Sequence, residues 1–148
     1  KRSGNRDLHI GSTRFDEPSG VALIERSKTA VAIHGLEGQG EVIQVGGLHE
    51  DLKRGLLQAL LDAGFEARED DSHHSGISPS NICNRGLTGE GVQLEISRGL
   101  RRAMFQGLNR TGRKVKKSPF DSFVGAVRGV LLPKNSVAGL TGLNRGSC

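Results

Sequence analysis

Apolar positions along the chain recur with two periods. In "TAVAIHGLEG", residues 29–38, small and β-branched apolar residues run without a break into His34, which predicts a buried strand over 30–34. Strict alternation marks "GVQLEIS", residues 91–97: Val92, Leu94 and Ile96 share one face, with Gln93, Glu95 and Ser97 on the other. Between them, 49–63 carries Leu52, Leu56 and Leu60, flanked by Leu57 and Leu61, opposite Asp51, Lys53, Arg54 and Asp62. That stripe predicts an amphipathic helix stopped by Gly64, with Phe65 opening a further extended segment.

The remaining segments read less sharply. "LHIGSTRF" and "VALIE", separated by the turn residues of "DEPSG", predict extended structure over 8–25. A glycine-rich loop, "GLEGQGE", leads to the apolar run "VIQVGG". Residues 70–90 hold Ser, His, Asp, Gly and Pro and predict a long loop with little core material. A helix is expected from Arg98 to about Leu108, then the basic loop "NRTGRKVKK", then an amphipathic helix in "FDSFVGAVRGVLL". Strands alternating with helices predict an α/β fold: a three-layer domain with a mixed β-sheet flanked by helices. One domain is expected over 1–133, with 134–148, rich in Gly, Ser and Asn, a flexible tail.

Composition narrows the classes. The 148 residues suit one domain, and 34% hydrophobic with 25% charged residues is not the balance of a disordered chain. No apolar run approaches the ~20 residues that cross a bilayer, so no membrane partner is expected, and a monomer is. Lys and Arg number 21 against 16 Asp and Glu, a formal +5 that favours polyanionic partners. Trp and Tyr are both absent, which argues against a base-stacking single-strand binder. Cys83 and Cys148, the only cysteines, give little support to a disulfide. The chain begins at Lys1 with neither an initiator Met nor a leader, and an upstream segment is expected to be missing.

Several side chains are candidates for chemistry. His73 and His74 read as a solvated loop pair, His9 as a core histidine and His49 as a surface residue opening a helix. His34 stands where a strand meets a loop, the place where α/β sheets gather ligands. Gly35 beside it leaves the backbone open to close approach. His34 is thus either a ligand or a structural imidazole. Glu95 is either a carboxylate in low dielectric, suited to general acid–base work, or a polar residue on a solvated strand face. Asn81, Asn84 and Arg85 carry groups that hold a substrate carboxylate, or they simply cap turns.

In this order, "LHIGSTRFDEP", "AVAIHGLEG", "VGGL" and "PSNICNRGLTGEGVQLEISRGLR" resemble the poly-γ-glutamate hydrolase family, phage-encoded and bacterial enzymes similar in fold to zinc carboxypeptidases. The resemblance spans residues 5 to about 106, and "NICNR" with "GVQLEIS" is its most specific part. It implies Zn²⁺ as cofactor, His34 as a zinc ligand and Glu95 as the general base and acid acting on zinc-bound water. It implies an acidic polymer, poly-γ-glutamate, as substrate. The surplus positive charge fits that substrate, with Arg85, Arg98, Arg101 and Arg102 as candidates for its groove. The family's other two zinc ligands, a His and a Glu, belong to an upstream "HGG…E" segment, and nothing before His9 matches it. The chain is therefore expected to be N-terminally truncated and to bind zinc poorly alone. The competing reading is a non-catalytic polyanion or nucleic-acid binder using "RTGRKVKK", indifferent to zinc and steeply salt-dependent.

Overall fold

A computed structural model describes residues 10–72 and 75–132. His9, His73, His74, Cys148 and the expected tail lie outside the described residues. Four strands, β1 (Val31–Leu36), β2 (Val42–Gly47), β3 (Glu66–Glu69) and β4 (Val92–Ser97), form one sheet in the order β1-β4-β2-β3. The sheet is mixed: β1–β4 and β2–β3 are parallel, and β2–β4 is antiparallel. Helices α2 (Glu50–Asp62), α3 (Arg98–Met104) and α4 (Ser118–Leu131) cover one face. The other face is covered by the 75–91 segment.

The core lies between sheet and helices, where the two periods meet. Ile43, Val45, Val92, Leu94 and Ile96 pack against Leu56, Leu60, Leu100, Met104, Phe123 and Val127. Leu56 and Leu60 are wholly buried, as the α2 stripe requires, and each contributes about 1.5–3 kcal/mol by leaving water. Leu61, at the stripe's margin, stays exposed. Gly64 takes a φ of +84° to end the helix, and Phe65 then sets its ring edge-on to Phe123 at 6.2 Å.

Four local expectations need correction. "VALIE" is helical, not extended: α1 (Pro18–Glu25) has Glu17 at its N-cap, accepting from Ser19 N at 3.1 Å and Gly20 N at 2.6 Å, with Pro18 in its first turn. The "DEPSG" turn signal is thus a helix start. The strand that holds His34 runs on to Leu36 and is not fully buried. It pairs only with β4 among the described residues, and Ile33 is 57% exposed at that edge. Helix α3 stops at Met104, because Phe105 turns extended and bridges Lys116. The 70–90 segment does contribute to the interior: Asn81, Ile82, Cys83 and Asn84 are all buried, the last three in a 3-10 turn.

Glycine makes that covering layer fit. A Cβ on Gly46 would stand 2.2 Å from the Ser75 carbonyl oxygen, and one on Gly91 1.9 Å from that of Cys83. Both positions let loop backbone lie directly on the sheet.

Candidate functional site

Pairing register decides which polar side chains meet. His34 on β1 is the direct partner of Glu95 on β4, which in turn is the direct partner of Gln44 on β2. Neighbouring strands lie about 4.8 Å apart, and paired residues share a face, so imidazole and carboxylate stand side by side. Alternation puts them on the face away from the core, because Leu94 and Ile96 point the other way. Both line one open cleft of about 720 Å³, together with Ser12, Thr13, Gly76, Ile77, Ser78 and Asn81.

Glu95 is buried, and its carboxylate is held by a line of amides. Gln93 Nε2 donates to Glu95 Oε1 at 2.9 Å, and Asn81 Nδ2 donates to Gln93 Oε1 at 3.0 Å. Asn81 Oδ1 is fixed in turn by Cys83 N at 3.2 Å. The orientation of the carboxylate is thus set by the loop layer as well as by its own strand. Burial also pushes the Cys83 thiol up to about 11, which keeps it protonated behind this wall. His34 is half-buried, with its Nε2 3.3 Å from Ser12 Oγ. Sequence reasoning set Gln93 on the face of Glu95 but gave it no role; the i, i+2 spacing was the available signal. Ser12 and Glu37, also in the cleft wall, had no such signal.

The other expected residues take different places. Asn84 lies behind the cleft: its Nδ2 donates to the carbonyls of Gly76 at 2.7 Å and Ser78 at 2.9 Å, and its Oδ1 accepts from Gly91 N at 2.9 Å. Arg85 ties the loop to the α1 region, donating to Phe15 O at 3.0 Å and pairing with Glu25 at 3.0 Å. Arg98 stands at the rim, 3.9 Å from the Glu37 carboxylate. Arg101 donates to Ile96 O at 3.1 Å and Leu36 O at 3.0 Å, clamping the ends of β4 and β1 that carry the site. Its guanidinium fills the space over Gly35, where a Cβ would stand 3.0 Å from Cζ. Gly35 therefore makes room for Arg101 on the helix side of the sheet.

Among the described residues no three of His, Cys, Asp and Glu come together as a metal-binding group. The cleft offers one imidazole and a neighbouring carboxylate that can accept and return a proton.

Comparison with known proteins places the chain in a family. The family model for poly-gamma-glutamate hydrolase matches residues 1–126. The chain is 39% identical over 134 residues to the UPF0714 protein YmaC of Bacillus subtilis (strain 168), covering 88% of this chain and 57% of YmaC. Its fold matches a bacteriophage poly-gamma-glutamate hydrolase with a TM-score of 0.84 and 34% identity, over 88% of this chain and 65% of that one. It also matches the zinc-free apo form of YndL with a TM-score of 0.82 and 33% identity, over 88% and 66%. The chain thus spans roughly half to two thirds of the length of these relatives. By sequence and fold alike, the chain belongs to the poly-γ-glutamate hydrolase family.

Proposed function

We propose that this chain carries the proton-transfer half of a zinc-dependent amidohydrolase site that cleaves γ-glutamyl amide bonds in poly-γ-glutamate. The observation that carries the reading is the direct pairing of His34 with Glu95 in one cleft, with the Glu95 carboxylate held by Gln93 and Asn81. Glu95 takes a proton from the attacking water as its oxygen bonds to the amide carbon. It then gives that proton to the nitrogen as the C–N bond breaks, leaving a carboxylic acid and an amine, whose proton exchange ends in a carboxylate and an ammonium group. Holding the carboxylate in one rotamer keeps it aimed at the water through both steps.

His34 is the zinc ligand in this reading. A bound zinc ion acidifies water and polarises the carbonyl. A catalytic zinc keeps three protein ligands, and the described residues do not supply such a set. Of the side chains expected to hold substrate carboxylates, Asn81 lines the cleft and Arg98 stands beside it. Asn84 and Arg85 serve by fixing the wall.

Glu95→Gln tests the proposal in the full-length gene product, with γ-polyglutamate as substrate and new amino groups as readout. The variant keeps size and hydrogen bonding but removes the basic oxygen. A loss of at least ~100-fold in kcat with KM little changed is expected. Activity of the parent should vanish with a chelator and return with zinc. Near-normal turnover by the variant sinks the mechanism.

A further inference from the structure

The proposed substrate is a polymer of carboxylates, yet no Lys or Arg among the described residues lines the cleft. Its ionisable lining among the described residues is His34, Glu37 and Glu95. Three of the arginines expected in the groove are committed elsewhere: Arg85 and Arg101 donate to backbone carbonyls, and Arg102 donates to Gln39 Oε1 at 3.2 Å. Arg98, at the rim, faces Glu37. The described cleft lining therefore offers no positive charge besides His34 to attract a polyanion.

Among the described residues, cations cluster in the connection between α3 and α4. Arg110, Arg113, Lys114, Lys116 and Lys117 are all exposed, and no acidic residue occurs between 110 and 117. None of the five takes part in an ion pair among the described residues. Among the described residues only Lys116 of the five has a side-chain partner, with its ammonium 4.8 Å from the centre of the Phe120 ring. The backbone that carries them is pinned. Gln106 N donates to Val115 O at 3.0 Å, Lys117 N to Met104 O at 2.9 Å, and Gly112 N to Asn109 Oδ1 at 2.6 Å. Helix stability does not explain these cations, because Lys116 and Lys117 immediately precede α4, where the macrodipole disfavours positive charge. Glu41 and Glu66 line a pocket with Ser118, the residue that follows Lys117.

We propose that this basic hairpin is a second binding surface for the polycarboxylate chain, distinct from the cleft. The inference rests on the substrate class proposed above. No residue of 105–117 lines the cleft, so a short γ-glutamyl peptide seated there gains nothing from the hairpin. A long polymer engages both surfaces and is held near the cleft between cuts by effective concentration. Each exposed contact is weak and screened by salt, so the surface acts only as a multivalent whole.

The test uses the 148-residue chain itself, fluorescently labelled long γ-polyglutamate and anisotropy over a salt series. The variant combines Arg110→Ser, Arg113→Ser, Lys114→Ser and Lys117→Ser, leaving Lys116 on its ring; Lys114→Glu alone serves if the fourfold variant melts differently. We expect salt-sensitive binding by the parent and at least about tenfold weaker binding by the fourfold variant, with a shallower salt dependence. Binding equal to that of the parent, or none by the parent at low salt, overturns the proposal. Single-stranded DNA of matching charge bound as tightly as the polymer overturns it too, in favour of a nucleic-acid surface. Hairpin-dependent binding by a protein with no hydrolysis supports this inference and removes only the catalytic reading.

Discussion

Asn84→Ala separates a residue that builds the cleft from one that touches substrate. The side chain makes three hydrogen bonds to backbone, at Gly76 O, Ser78 O and Gly91 N, and it is 3% exposed. Alanine removes all three partners at once. Gly76 and Gly91 are buried, while Ser78 is half-buried and water can replace its lost donor. With a net value of about 0.5–1.5 kcal/mol per bond, and about 1–3 for a buried group left unpaired, the low end of these ranges gives a loss of about 3 kcal/mol. That is a large share of the ~5–15 kcal/mol that holds a domain. In urea unfolding the midpoint should fall by about 1.5 M if the slope is about 2 kcal/mol/M. Asn84→Asp adds a diagnostic. It keeps the acceptor for Gly91 N but sets a carboxylate against two carbonyls, so its folded-state pKa is raised. Stability should therefore recover as pH falls through that value, because the protonated form is again a donor. A loss under ~0.5 kcal/mol for Asn84→Ala would falsify the scaffold role and return the side chain to substrate binding.

Two further outcomes follow from side-chain environments. The Cys83 thiol, with its pKa at about 11, should resist iodoacetamide at pH 8 in the folded chain. Peptide mapping should find it alkylated only after denaturation, and rapid native labelling would show that the loop layer opens. Hydrogen bonds from Gly20 N and Ser19 N hold the Glu17 carboxyl below the ordinary glutamate range. Its contribution to α1 is therefore fully present above the ordinary glutamate pKa and is lost as pH falls through the lower folded value. NMR titration of the Ser19 and Gly20 amides should show that lower midpoint, and a midpoint at or above the ordinary value refutes the cap.

Local periodicity determined much of this protein. The leucines of α2 and the alternation of β4 specify element type and buried face directly, because 3.6 and 2 are properties of the chain itself. The same alternation turned Glu95 and Gln93 away from the core, and the run before His34 marked a strand leading into the site. What the chain could not announce depends on partners far away in sequence. That His34 sits beside Glu95, 61 positions on, is a matter of strand register, which the pattern constrains to a face but not to a row. The exposed Ile33 reflects the place of β1 at the edge, not its composition. "VALIE" became a helix because Glu17 and Pro18 capped it, against the β-branched residues inside it. Asn84, Arg85 and Arg101 look alike in sequence to groups that bind a carboxylate. Tertiary packing brought backbone carbonyls within 3 Å or so of each, and a donor buried beside a carbonyl bonds to it before it can serve a ligand.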